Sequence, residues 1–354
     1  MKVLFAPYNI ASMPAVTASA LKAMGHSAVC INYGSHPYQE SNDQVIDICS
    51  NSGHSNPFRM IYYKLKYLII LYRLLKWCDV VHFTWRSIVP FSLDLRMIAW
   101  FGKPRFIEWV GSDIRIPEIT SQESKWYAEA YQNGYEYKKI ESRHKSLVTQ
   151  KRFAQFGFVP ILTPEMQLFL SPDLFKKYHA AFYRVFDENK FGPPFYPELD
   201  KPKLLILHAP SAKMAKGSNY IIPIVNELSK TYPIAFELLN QVPRQQVLEK
   251  MKMCDIYIDQ IVLGSYASAA IEAMSYGKPV IAYIMPRVYR QGIPEDCPVV
   301  NANPENLKER LVELIENPKL RRDIGVKSRT YVEAHHEVHK LTRELVEIYR
   351  SFPT

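Results

Sequence analysis

Cysteine is scarce and unpatterned in this chain. Cys30, Cys49, Cys78, Cys254 and Cys297 are the only five in 354 residues, and none stands at metal-ligand or disulfide-framework spacing. A disulfide-stapled scaffold and a zinc ribbon are therefore excluded, and free thiols in a reducing cytoplasm are expected. Long hydrophobic runs are also missing. No stretch of about 18 apolar residues occurs, so no transmembrane helix is expected. The opening Met1-Lys-Val-Leu-Phe-Ala-Pro7 is an apolar run broken by proline. It is too short for a signal-peptide core and reads as a first buried strand. Internal repeats and low-complexity segments are absent. So is a P-loop, because the order at Lys216-Gly217 reverses the one that motif needs. His335 and His339 stand four apart, a possible metal pair, but no zincin motif fits because the glutamate does not follow His335.

What is present is enough for two α/β domains. Hydrophobic residues make up 47% of the chain, which supports full cores. The net charge of +9 favours anionic partners: membrane lipids, nucleic acid or phosphorylated substrates. No recognisable nucleic-acid module accompanies that charge.

Strand and helix signals alternate along the chain. Strands are expected at 2–6, 28–32, 79–83, 105–110 and 158–162. Helices are expected at 15–24, 58–77 and 90–101, with a polar loop over 36–57 and a largely helical stretch over 121–157. The proline-rich run from Phe191 to Pro202 reads as a linker. A second alternation follows: strand 203–208, helix 217–230, strand 234–239, helix 243–253, strand 255–259, and terminal helices at 304–316, 318–332 and 336–351. Such alternation implies parallel sheets covered on both faces. Ligands bind such sheets beyond the carboxyl ends of the strands. Two such domains imply a cleft between them, whose opposite walls can each hold a ligand.

The densest block runs from Asp255 to Ile281: Asp-Ile-Tyr-Ile-Asp259-Gln260, then Gly264-Ser265-Tyr266, then Glu272-Ala-Met and Gly277-Lys278-Pro279. It reads as strand, glycine-bearing loop, helix, turn and strand. A helix that begins after a small-residue loop offers free N–H groups to an anion. Glu272, about one and a half turns beyond Ala267, stays near the same crevice and can accept hydrogen bonds from sugar hydroxyls. A second motif, His208-Ala-Pro-Ser211-Ala-Lys213-Met-Ala-Lys216-Gly217, opens from a strand into a basic loop suited to a diphosphate.

These motifs, with Arg321-Arg-Asp-Ile-Gly325 and the final helix, resemble the donor half of family 4 (group 1) glycosyltransferases of the GT-B fold. The resemblance implies two Rossmann-like domains facing across a cleft, with domain bounds at 1–200, 201–335 and a last helix, 336–354, packing back on the first domain. Donor contacts would come from Ser211, Lys213, Lys216, Gly217, Gly264, Ser265, Tyr266 and Glu272, with Lys216 on the diphosphate and Glu272 on the ribose. The substrate would be a nucleoside-diphosphate sugar, with no metal and no further cofactor. Two features depart from the family pattern. Gly264 stands where the first of two paired glutamates is usual, with Asp259 and Gln260 nearby as substitutes. Asn9-Ile-Ala-Ser12 replaces a glycine-rich loop.

The first half contains Phe106-Ile-Glu108-Trp109-Val110-Gly111-Ser112-Asp113-Ile-Arg115, which resembles the Gly-Ser-Asp motif of such enzymes with the histidine positions taken by Glu108 and Val110. A carboxylate can accept a proton from a sugar hydroxyl, so Asp113 and Glu108 are the catalytic candidates. The bland alternative has Asp113 capping a turn and pairing with Arg115. Asn9, His82, Ser112 and Arg115 are the acceptor-side candidates. Residues 58–77 mix cations with aromatic and aliphatic residues, as an interfacial helix does, though apolar residues nearly encircle 67–72. A sheet-covering helix, which also needs a long apolar face, is the stronger local reading.

The expected activity is retaining transfer of a sugar to a saccharide or lipid-linked saccharide. Cell-surface polysaccharide assembly, in the cytoplasm or at the inner membrane face, is the setting that the resemblance implies. An anionic membrane surface is an expected partner and nucleic acid is not. A nucleotide-sugar epimerase of the same fold and a catalytically degenerate scaffold are the alternatives.

Overall fold

The computed structural model describes residues 1–34, 39, 42–49 and 56–352. Contacts divide the chain into two units. The first contains residues 1–115, 144–184 and 338–354; the second contains 116–143 and 185–337.

The first unit is built on seven parallel strands: β1 (Lys2–Ala6), β2 (Ser27–Asn32), β3 (Val45–Asp47), β4 (Val80–Thr84), β5 (Arg105–Trp109), β6 (Val159–Leu162) and β7 (His179–Ala180). Their order is β3-β2-β1-β4-β5-β6-β7. The central strands are almost wholly buried, because helices cover both faces of a parallel sheet. The covering helices are α1 (Met13–Ala23), α2 (Pro57–Trp77) and α3 (Leu93–Trp100), joined later in the chain by α6 (Arg143–Gln155), α7 (Pro164–Gln167) and α16 (Val338–Arg350). In α16, Leu341, Leu345, Val346 and Tyr349 recur at helical spacing. The last three join Val3, Phe5, Ala18 and Leu21 in one core cluster.

The second unit has five parallel strands, β8 (Leu204–His208), β9 (Ile234–Leu238), β10 (Ile256–Ile258), β11 (Val280–Ala282) and β12 (Val300–Asn301), in the order β12-β11-β10-β8-β9. Its helices are α4 (Pro117–Glu123), α5 (Lys125–Gln132), α8 (Glu188–Phe191), α9 (Lys213–Lys216), α10 (Ser218–Leu228), α11 (Arg244–Met253), α12 (Ser268–Ser275), α13 (Pro286–Arg290), α14 (Leu307–Glu316) and α15 (Pro318–His335).

Several expectations need correction. The loop read over 36–57 contains β3, an exposed edge strand; 35–38, 40, 41 and 50–55 lie outside the described residues. The helical stretch 121–157 breaks into α4, α5 and α6, with Gly134 at φ +102° between the last two. Residues 116–143 pack in the second unit, where Ser124 Oγ donates to the Val262 carbonyl (2.9 Å) and Tyr283 Oη to that of Glu123 (2.9 Å). The proline-rich run is no free linker. The Phe195 N–H bonds the Tyr276 carbonyl (2.9 Å), and Tyr196 closes on Gly277 so tightly that a Cβ there would meet its ring at 2.6 Å. The boundary falls at 184/185, not 200/201, because packing rather than composition decides it.

Candidate functional site

In each sheet the strand order reverses once, and an open parallel sheet binds ligands at that point. In the second unit the reversal lies between β8 and β10. Lys216 follows β8 and Asp259 follows β10, so topology brings two residues 43 positions apart to one place. Lys216 Nζ lies 2.7 Å from Asp259 Oδ1, and the Ala267 N–H, at the start of α12, donates to Asp259 Oδ2 at 3.0 Å. The carboxylate thus satisfies one of the orphan donors of the helix start. Lys216 is half-buried and carries three donors, of which Asp259 takes one.

The loops here are fixed by backbone geometry. Gly217 has φ +82°, and a Cβ on it would lie 2.6 Å from Ile261 Cγ1. Gly264 has φ +88°, and a Cβ would meet Met285 Cγ at 2.4 Å. Only glycine takes both the left-handed conformation and the close approach. Gln260 Nε2 donates to the Ser265 carbonyl and closes the loop between them. His208 at the end of β8 is buried, and burial pulls its pKa down to about 4. The neutral ring donates from Nδ1 to the Ile258 carbonyl (2.8 Å), which leaves Nε2 to accept from Ser218 Oγ (2.9 Å). It locks the loop after β8 against β10.

Glu272 sits on the second turn of α12 and is paired by Arg244, the first residue of α11, with Nε at 2.9 Å from Oε1. Arg244 was not among the sequence candidates. Ser211 and Lys213, in the loop and short helix after β8, are exposed. Two expectations differ. Helix α10 begins at Ser218, but the one-turn α9 precedes it, and the Met214 and Ala215 N–H groups already donate to Glu136 (2.8 and 3.0 Å). Tyr266 does not border an open loop with its ring: its hydroxyl lies 2.8 Å from Tyr331 Oη and 3.0 Å from His336 Nε2, in the interior.

The candidates in the first unit fare differently. Glu108, at the end of β5, is sealed in the core. Arg184 Nη2 reaches its Oε2 at 2.5 Å, and His82 Nε2 lies 3.0 Å from the same oxygen. Burial pushes the carboxyl pKa up, but Arg184 and His82 outweigh it and hold it at about 2. This carboxylate is a fixed counter-ion, not an accessible base. His82 does not line a cleft either; its Nδ1 contacts the Tyr349 hydroxyl at 2.6 Å, and burial lowers its pKa. Asn9 is buried and braces the first loop, accepting from the Ala15 N–H at 3.0 Å. Asp113 accepts from the N–H groups of Val110 (3.1 Å), Gly111 (2.9 Å) and Ile114 (3.1 Å). It is a turn cap, and burial, partly offset by those donors, raises its pKa to about 6. Arg115 pairs with Glu165 at 2.5 Å. Ser112 remains half-exposed.

The reversal in the first sheet lies between β1 and β4. Tyr8 and Trp85 follow those strands, with ring centroids 5.0 Å apart and edge to face. The Arg86 guanidinium stands 4.1 Å from the Trp85 ring. Trp85 has φ +77°, and Ala11, Ser12, Phe91 and Ser92 in the same two loops are also left-handed. Left-handed backbone at non-glycine residues is costly and gathers at functional sites. Thr84 Oγ1, at the end of β4, is buried without a hydrogen-bond partner among the described residues. Tyr8, Trp85 and Arg86 drew no notice in the sequence; an isolated Trp-Arg after a strand carries no motif.

Residues 224–331 match the family model described as glycosyl transferases group 1. The matched residues lie within the second unit. Whole-chain similarity to solved structures extends this to the fold. Sucrose-phosphate synthase from Thermosynechococcus elongatus is 14% identical with a TM-score of 0.61, over 99% of this chain and 98% of that one. WaaG, a glycosyltransferase involved in lipopolysaccharide biosynthesis, is 14% identical with a TM-score of 0.58, over 99% and 100%. HepE from Anabaena, solved with UDP-glucose, is 12% identical with a TM-score of 0.55, over 99% and 100%. At such identities the likeness establishes the GT-B fold. No curated protein sequence matches the chain. Segment and fold together support an enzyme that transfers a glycosyl group from a nucleoside-diphosphate sugar.

Proposed function

We propose that this chain moves a sugar, with retention of configuration, from a nucleoside diphosphate held by the second unit to a hydroxyl of a saccharide or lipid-linked saccharide held by the first, in cell-surface glycan assembly. The observation that carries the reading is the Lys216–Asp259 pair at the start of α12, beside Glu272 and Arg244, at the sheet's reversal point. The remaining Lys216 donors suit diphosphate oxygens, and Glu272 suits a ribose. Asp259 stands in for the acid absent at Gly264. As the bond from the sugar's anomeric carbon to the diphosphate breaks, the acceptor oxygen bonds that carbon and its proton passes to a diphosphate oxygen. Positioning and electrostatics supply the rate. No protein base is required, which accords with a Glu108 that is sealed and an Asp113 that is a turn cap. For the acceptor we propose Tyr8, Trp85 and Arg86, whose rings suit a sugar face and whose cation suits an anionic group. A lipid-linked acceptor is favoured by the exposed aromatic and cationic face of residues 58–77.

The test is binding and slow hydrolysis across UDP-, GDP-, ADP- and dTDP-sugars, wild type beside Lys216→Ala. One donor bound tightly and weakened by the substitution supports the reading. NMR of the released sugar or transfer product then reads the anomeric configuration. Epimerised donor with no acceptor present would replace the reading by an isomerase. Binding of no donor would leave a scaffold.

A further inference from the structure

Helix α2 has two apolar faces. Tyr67, Leu71 and Leu75 are buried. On the other side Phe58, Ile61, Tyr62, Leu65, Ile69 and Tyr72 are exposed, Phe58 to 82%. These six recur three, four or seven apart, so they form one stripe down the helix. This explains why apolar residues nearly encircle 67–72: one set packs on the sheet, the other meets solvent. The stripe continues onto the end of α3. Tyr72 and Phe101 rings stand 5.6 Å apart, Phe101 and Trp100 5.2 Å, and Trp100 is 76% exposed. An aromatic and aliphatic surface of this extent is unusual on a monomer unless something covers it.

The charge says what covers it. Residues 57–77 contain Arg59, Lys64, Lys66, Arg73 and Lys76 and no acidic residue. Arg59, Lys66 and Arg73 are seven apart and fall in a row beside the stripe. Lys76 Nζ sits 4.5 Å from the Tyr72 ring centroid. Arg96, one turn before Trp100 on α3, is exposed as well. Apolar anchors with rows of cations and interfacial aromatics fit the boundary of an anionic bilayer, where cations meet headgroups and rings sit at the acyl edge. No described helix is long and apolar enough to cross a membrane, so the contact is with the surface.

We propose that the exposed stripe of α2, extended by Phe101 and Trp100, is a docking surface for an anionic lipid bilayer. It does not depend on sugar transfer, so either reading can fail alone.

The test is co-sedimentation of the full chain with vesicles of phosphatidylcholine alone or of phosphatidylcholine with phosphatidylglycerol. Analytical ultracentrifugation without lipid accompanies it. Anionic vesicles are expected to bind at least about tenfold more protein than neutral ones. Raising the salt from about 0.1 to about 0.5 M should weaken that binding. Ile61→Ser/Leu65→Ser/Ile69→Ser should lower it about tenfold or more. Arg59→Glu/Arg73→Glu, which leaves the apolar stripe whole, should remove the preference for anionic lipid. All five positions are exposed, so an unchanged melting temperature verifies folding. Binding to neither vesicle, equal binding to both, or no loss in the triple variant would overturn the proposal. So would a wild-type dimer that the triple variant makes monomeric, since the stripe would then be covered by a second copy.

Discussion

Two carboxylate clusters stand at strand ends in this molecule, one in each unit, and they use the same chemistry to opposite ends. Glu108 holds Arg184 and His82 with every side chain at most 2% exposed. Asp259 and Glu272 hold Lys216 and Arg244, whose side chains keep 12% and 13% of their surface. A sealed ion pair cannot give up a partner without leaving a bare charge in a medium of low dielectric. A pair that reaches water can share its cation with an incoming anion. The first cluster is therefore locked in place, whereas the cations of the second can exchange partners with solvent.

The sharpest way to break this contrast is Glu108→Gln. Arg184 would keep its charge with no counter-ion, and a loss of roughly 3–5 kcal/mol is expected in denaturant titration. The carboxyl pKa is depressed to about 2 in the folded state, against an ordinary value of 4.5. Its stabilisation is present above about pH 4.5 and is lost as pH falls toward 2. Wild-type stability should fall through that window, and the Gln variant should lose this component of the slope.

Lys216→Ala should act on ligand more than on fold. Two charge-assisted hydrogen bonds to a diphosphate are worth about 2–3 kcal/mol together, so donor affinity should drop roughly 100-fold by calorimetry. Stability should fall less than in Glu108→Gln, because water reaches the vacated site. Equal losses of stability would erase the distinction between the clusters.

Gly264→Ala tests the loop that borders the open cluster. Left-handed backbone and the clash with Met285 should cost about 2 kcal/mol and weaken donor binding as well. Gly25→Ala is the control: φ is +80°, but nothing lies within 4 Å of the added Cβ, so only the backbone cost of about 1 kcal/mol is expected.

The smallest effect concerns Asp113. Its folded pKa is raised to about 6 from an ordinary 3.8, so its contribution is full below pH 3.8 and is lost as pH rises through 6. This slope is opposite in sign to that of Glu108, its neighbour in sequence. Asp113→Asn should flatten stability between about pH 4 and 6, read by melting temperature across pH.

The setting of Lys216, Asp259 and Glu272 beside helix starts was largely legible before the structure. The stretch from Asp255 to Ile281 is local: strand, loop and helix start follow within a few residues, and Lys216, Asp259 and Glu272 stand where the helix starts require. Arg244 was not legible, because it meets Glu272 only by packing of α11 against α12. In the first unit, Glu108 and His82 were misread as accessible groups. Glu108 lies near the end of β5 and His82 in the middle of β4, and in sequence such positions look the same whether they open to solvent or are roofed by Arg184 and Tyr349 from distant parts of the chain. Tyr8, Trp85 and Arg86 meet only because β1 and β4 are neighbours in the sheet.

The sequence by itself determined the strand–helix alternation, the parallel sheets, the glycines of the loops after β8 and β10 and the acid-free basic helix at 57–77. These follow from periodicity, turn chemistry and composition, all of which act over a few residues. Only the tertiary structure decided which carboxylates are sealed, that residues 116–143 build the second unit, and which face of α2 is left bare. Burial and pairing depend on segments more than a hundred residues apart, and no local pattern encodes what will roof a strand end.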